Sequence, residues 1–231
     1  MSLIKTKYLA ALTVAWLLLA VSAPASLITT VESGALNITV PDGNPVGISR
    51  TLNVSGLGNI LSSGDNVSMT LNISGGNNGD LYAYLSYDGH IVTLLDQPGV
   101  MGGNPEGYTD AGFNVTLGDG NYGNINTYGS SGYTTSGGQV AGTYNPASGN
   151  TAFQGYNGIN PNGGWVLFIA DMSGGDPSQS VLNSWSLTLD VVPEPVNVAM
   201  AIFGVMFITV GFGHSWVRSR KLISIWLNKM H

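Results

Sequence analysis

Cysteine is absent from the 231 residues. Its absence excludes disulfide frameworks, thiolate metal sites and cysteine nucleophiles together, as well as the lipid-modified cysteine used by many bacterial surface proteins. Charge is scarce too: 9% of residues are Asp, Glu, Lys or Arg, against roughly 25% in an ordinary soluble domain. Lys5 and Lys7 lie near the N-terminus, and Arg218, Arg220, Lys221 and Lys229 near the C-terminus. Arg50 is then the only basic residue between Ser26 and Pro195. All 13 acidic residues fall in that stretch, so one positive charge against 13 negative ones gives it a formal charge of −12. Binding to nucleic acid rests on Lys and Arg contacts to phosphate, so no nucleic-acid partner is expected. Histidine and glutamate are rare in the same stretch, which holds only His90 and Glu32, Glu106 and Glu194. A catalytic triad needs a base held beside a nucleophile by a third group, and no Gly-x-Ser-x-Gly motif accompanies His90. One histidine without cysteine also disfavours zinc. The chain is therefore expected not to be an enzyme, with a carboxylate pair of the glycoside-cleaving kind as the alternative.

Long apolar runs occur only at the two ends. Lys5 and Lys7 precede the run Tyr8–Val21, which closes on Ala23-Pro24-Ala25-Ser26. A basic start, a short apolar stretch and an A-x-A site make a secretory signal peptide, here residues 1–25 with cleavage after Ala25. A retained signal anchor is the alternative. At the other end, Pro193-Glu194-Pro195 leads into residues 196–217, apolar apart from Asn197, Thr209, His214 and Ser215, and then into Arg218, Arg220 and Lys221. About 20 apolar residues cross a ~30 Å hydrocarbon core as a helix, and flanking basic residues favour the cytoplasmic side. A buried core helix would not explain the prolines and the basic cluster.

The order Pro193-Glu194-Pro195, apolar helix, basic stop resembles the PEP-CTERM sorting signal of exopolysaccharide-producing Gram-negative bacteria. That resemblance implies processing by an exosortase and delivery to the outer cell surface or the extracellular matrix. It covers residues 193–221. The family's tail usually ends soon after its basic residues, whereas here residues 222–231 continue with Ile223, Ile225, Trp226 and Leu227, a piece suited to the cytoplasmic face or the membrane interface.

Between the ends, residues 26–192 read as one β-rich extracellular domain. Leu36–Val40, Val67–Ile73 and Phe113–Leu117 alternate apolar with polar residues, the period of half-buried strands. Leu81–Leu85 and Ile91–Leu95 flank Ser86–His90, where Asp88-Gly89 suits a hairpin turn. Trp165–Ala170 and Trp185–Val191 are again strand-like, and no helical pattern of useful length appears. Several short strands with Gly- and Asn-rich connections predict an all-β sandwich or jelly roll. Residues 118–164 are dominated by Gly, Asn, Ser, Thr and Tyr. They are expected to form a mobile surface loop with a few docked rings, the alternative being a sugar- or protein-binding surface built on tyrosine.

Trp165 and Trp185 are expected in the core, since a buried ring covers about 150–250 Å². Asp171 and Asp176 bracket a Gly-rich turn, and Asp80 opens a strand. Such carboxylates either cap their turns by accepting backbone hydrogen bonds or ligate calcium through oxygen, and Asp171 and Asp176 are the candidate pair. Asn-x-Ser/Thr sequons at Asn37, Asn53, Asn66, Asn72 and Asn114 are acceptors only in a compartment with the transferase.

The block Phe153-Gln154-Gly155-Tyr156, continuing through Gly163-Gly164-Trp165-Val166-Leu167, Asp171, Gly174-Gly175-Asp176 and Asn183-Ser184-Trp185-Ser186-Leu187, resembles the P domain (P/Homo B) that follows the catalytic domain of kexin- and furin-like proteases. Gly79-Asp80-Leu81 is similar to that family's Gly-Asp-Leu strand. The resemblance spans residues 51–191. It implies a jelly-roll β-sandwich and an accessory, non-catalytic role. With the signal peptide, the sorting tail, the acidic Gly-rich β domain and the missing catalytic set, the expected function is a binding or structural module on the cell surface or in the polysaccharide matrix, the alternative being a P domain acting in trans with a separate subtilisin-like protease.

Overall fold

The computed structural model describes residues 26–130, 132–175, 178–193 and 203–207. The chain divides into two units, residues 1–192 and 193–231. In the second, residues 203–207 are helical with Phe203 and Phe207 exposed. Among the described residues no helix is long and apolar enough to cross a membrane. Most of the expected span 196–217 lies outside them, as do residues 1–25, Glu194, Pro195, Arg218, Arg220 and Lys221.

The described residues of the first unit form eleven strands: β1 (Leu27–Glu32), β2 (Ile38–Thr39), β3 (Asn44–Val54), β4 (Val67–Ser74), β5 (Leu81–Tyr87), β6 (His90–Asp96), β7 (Gly112–Gly118), β8 (Thr134–Ser136), β9 (Gln139–Tyr144), β10 (Gly163–Asp171) and β11 (Val181–Val191). One sheet has the order β1-β11-β4-β7-β9-β8, with β2 also on β11, and the other the order β3-β10-β5-β6. The expected all-β class is borne out. One hydrophobic core draws on both sheets, because every alternating strand sends its apolar set to the same side. Val67, Met69, Leu71 and Ile73 of β4, Leu81, Ala83 and Leu85 of β5, and Leu167 and Ile169 of β10 are all buried. In β11 the inward residues Leu182 and Trp185 are three apart. A register shift between Leu182 and Ser184 takes up the extra residue and returns the later side chains to the core.

The hairpin expected at Asp88-Gly89 is present. Tyr87 pairs with His90, and Asp88 and Gly89 take φ of 48° and 77°, the two left-handed residues of a type I′ turn. The run Leu36–Val40 gives only the two-residue β2, because Asn37 adopts φ 52° and breaks the extended path. Leu36 and Val40 still donate their N–H groups to the carbonyls of Asn183 and Ser180.

The Gly- and Tyr-rich segment departs most from expectation. Instead of a surface loop with a few docked rings, it supplies the β8–β9 hairpin. It also supplies two 3-10 turns, Ile125–Ser130 and Ala152–Tyr156, and five core residues: Ile125, Tyr128, Val140, Phe153 and Tyr156. β9 runs parallel to β7, pairing Phe113 with Val140 through Leu117 with Tyr144. Asp119, buried beside the second 3-10 turn, accepts the Phe153 N–H at 3.0 Å. Desolvation holds its carboxyl above the usual range against backbone hydrogen bonds that pull it down.

Candidate functional site

Asp80 and Asp171 meet at one end of the four-stranded sheet. Asp80 ends the 3-10 turn Asn78–Asp80 and hands the chain to β5, while Asp171 ends β10 opposite Leu81. The Met172 N–H donates to the Asp80 carbonyl at 2.7 Å. Both side chains are buried. Asp171 Oδ1 accepts from Ser173 N–H at 3.3 Å, and Asp42 Oδ2 accepts from Gly175 N–H at 3.0 Å. Capping of the turn by a carboxylate is thus visible, and Asp42 shares it with Asp171. Asp42 was not singled out by sequence; the Asp42-Gly43 dipeptide is its only local signal. Among the described residues no three Asp, Glu or His side chains gather in a metal-binding group. Asp176, the other member of the candidate calcium pair, lies outside them. Replacing Asp171 with Ala is expected to cost about 1 kcal/mol by removing the acceptor of the half-buried Ser173 N–H, read as a fall in urea midpoint. Chelation that lowers the wild-type melting temperature, with recovery on adding calcium, would show an ion at this corner as well.

Trp165 and Trp185 are both buried, at 0% and 2% exposure. Trp165 stacks on Tyr87 at 4.2 Å and 6°, packs against Tyr156 at 4.8 Å, and donates its indole N–H to the Pro161 carbonyl at 2.9 Å. Tyr87 in turn donates to the Asn160 and Asn162 carbonyls. The loop before β10 is therefore clamped by two aromatic side chains. Gly163, at φ 151°, lies where a Cβ would come within 3.2 Å of the Tyr87 ring.

At the opposite side of the core the tyrosines of the Gly-rich segment converge on Asp110. Tyr128 and Tyr133 both donate their phenol O–H to its carboxylate, and Asn78 donates to the Tyr128 oxygen at 3.1 Å. Burial raises the Tyr128 pKa far above its ordinary value, and the Asp110 hydrogen bond raises that of Tyr133. Both phenols stay neutral donors at physiological pH, so the cluster ties the Gly-rich segment to Asp110.

His90 opens β6 with its ring edge-on to Tyr156 at 5.8 Å. Of the sequons, Asn66 is buried at 8% exposure and its amide nitrogen donates to the Leu61, Ser63 and Gly64 carbonyls and to Asn157 Oδ1. That nitrogen cannot carry a glycan in this fold. Asn72 Oδ1 accepts from Gln139 and Asn183 within its sheet.

No protein-family model matches the chain, and no curated protein matches it. Among solved structures it is similar to the serine protease of Aeromonas sobria in complex with the chaperone ORF2, at 13% identity and a TM-score of 0.44, over 77% of this chain and 29% of that one. The A. sobria serine protease without the chaperone aligns at 12% identity and a TM-score of 0.41, over 73% of this chain and 28% of that one. The chain spans less than a third of the length of either neighbour.

Proposed function

We propose that the chain is an exported, non-catalytic accessory module: a β-sandwich of jelly-roll type, carried out of the cell by residues 1–25 and sorted by an exosortase acting at Pro193-Glu194-Pro195. The observation that carries this reading is the partition of charge. Every acidic residue lies between Ser26 and Pro195. Every basic residue except Arg50 instead flanks one of the two terminal apolar runs. A protein with basic ends and an acidic middle matches the cytoplasmic preference of Lys and Arg near membrane segments. The packing adds support: Trp165, Trp185 and Asp171 are buried and spent on core and turn.

Glu194→Ala tests the sorting step. Intact mass of the native protein is expected to show a chain starting at Ser26, shortened near Pro195 and recovered outside the cell. The variant is expected at full tail length in the inner membrane. Wild type and variant both membrane-bound with intact tails would overturn the reading and leave a plain C-terminally anchored protein.

A second reading, partnership in trans with a separate subtilisin-like protease, is favoured by the resemblance of Gly79–Leu85 and Phe153–Leu187 to the P domain. Its check is co-purification of a serine protease with the native chain and loss of that protease's stability when the chain is deleted.

A further inference from the structure

The outer faces of the two sheets differ in chemistry. On the larger sheet a row runs Glu32, Ser186, Thr70, Thr116, Thr143 across five paired strands. Small polar side chains of this kind are what the water-facing side of an antiparallel sheet carries. On the four-stranded sheet the corresponding row runs Ser49, Phe168, Tyr84, Thr93, with Tyr82 two residues before Tyr84 on the same face. Tyr84 and Phe168 stack at 4.8 Å and 17°, and Tyr82 stands edge-on to them at 6.3 and 6.5 Å. The core does not require these rings, because the inward residues Leu81, Ala83, Leu85, Leu167 and Ile169 of the same two strands already fill it. All three rings stay partly exposed, and neither phenol hydroxyl of Tyr82 and Tyr84 hydrogen-bonds to another described residue.

We propose that this face binds a neutral polysaccharide through Tyr82, Tyr84 and Phe168. A pyranose ring presents an apolar C–H face bordered by hydroxyls. The cluster is its complement: aromatic surface at the centre, which takes up apolar area at low entropic cost because the rings are already fixed against each other, with the Ser49 and Thr93 hydroxyls on the flanking strands. Charge selects the class of polymer. No Lys or Arg occurs in the row, Asp96 lies opposite Tyr82, and the stretch 26–195 has a formal charge of −12. A polyanion is repelled by such a surface, whereas a neutral glycan meets no such penalty and offers hydroxyls to the phenols and to Asp96. The site belongs to the β unit alone and goes beyond the proposed sorting function; Glu194→Ala is expected to leave it intact.

The test is affinity electrophoresis of the full-length chain in non-ionic detergent, through gels containing hydroxyethyl cellulose, galactomannan or alginate. Retardation is expected with a neutral glycan and not with alginate. Tyr84→Thr and Phe168→Thr, which keep strand propensity, are each expected to weaken it about tenfold. Tyr84→Phe keeps the ring and is expected to retain most of the binding, so a folding defect in one variant does not decide the matter. Thr116→Ala, on the outer face of the other sheet, is expected to bind as wild type. The proposal is overturned by migration unaffected by both neutral glycans, by retardation that Phe168→Thr leaves unchanged, or by stronger retardation in alginate. It is equally overturned if the wild type is a dimer that Phe168→Thr converts to a monomer, which would assign the face to a second copy.

Discussion

Trp165→Ala is expected to lower the stability of the β unit by about 3–5 kcal/mol, the usual cost of removing a fully buried large aromatic side chain. The indole lies between Tyr87 and Tyr156 and is 0% exposed. Its loss therefore leaves a cavity faced by two rings that are themselves tied to backbone carbonyls and cannot collapse into it. The Pro161 carbonyl also loses its indole donor. A domain of this size has about 5–15 kcal/mol in hand, so the variant approaches the threshold of unfolding. At roughly 2–4 °C per kcal/mol the melting temperature should fall by roughly 6–20 °C, followed by near-UV circular dichroism. Trp165→Phe retains a ring and should fall by much less. A Trp165→Ala protein melting within 2 °C or so of wild type would contradict the central place given to this side chain.

Gly112→Ala carries the second large effect. Gly112 opens β7 at φ +96°, where a Cβ would sit on the Ile73 carbonyl oxygen and 2.8 Å from the Ser74 Cα. The clash is with backbone of the adjacent strand β4, so no side-chain rotation relieves it. Asn78, wholly buried, holds Gly112 from both sides, accepting its N–H at 2.8 Å and donating to its carbonyl at 3.2 Å. Strain of about 1–3 kcal/mol and overpacking of about 1–3 kcal/mol together give roughly 2–6 kcal/mol, measured as a shift in urea midpoint. Gly102→Ala is the matched control: a Cβ there meets nothing within 4 Å and φ is not left-handed. It is expected to be neutral or slightly stabilising. Equal effects at the two positions would mean that the close approach of β7 to β4 is not what holds Gly112.

Much of the β unit was legible because a strand writes its faces locally. Val67–Ile73 and Phe113–Leu117 alternate strictly, and each is a strand whose apolar set is buried. Asp88-Gly89 announced its hairpin because a type I′ turn needs two left-handed residues. The 118–164 segment was misread for the converse reason. Glycine and asparagine hide periodicity, and besides its short hairpin with β8, β9 is placed by parallel pairing to the distant β7. The candidate sites were read unevenly. Asp80 and Asp171 are separate signals in the sequence, their meeting depends on the pairing of β10 with β5, and Asp42 joins the turn after Asp171 from more than a hundred residues away in sequence. The outward aromatic residues Tyr82, Tyr84 and Phe168 were visible as letters in Leu81–Leu85 and Trp165–Ala170. Their direction was not visible, since an aromatic residue in a strand is read as core until the opposite face is known to be full.

By itself the sequence determined the properties that composition and period-2 alternation carry: a cysteine-free, acidic, all-β unit with two core tryptophans between apolar ends. Those properties need only neighbours along the chain. Tertiary structure alone decided that Leu27–Glu32 pairs with Val181–Val191 at the far end of the unit, and that the tyrosines of the Gly-rich segment close the core. It also decided that three rings on two strands face outward together. Each of these depends on which distant segments lie side by side. That choice is made by burying one shared apolar core while pairing the backbone groups around it, a condition on the whole chain that no local pattern contains.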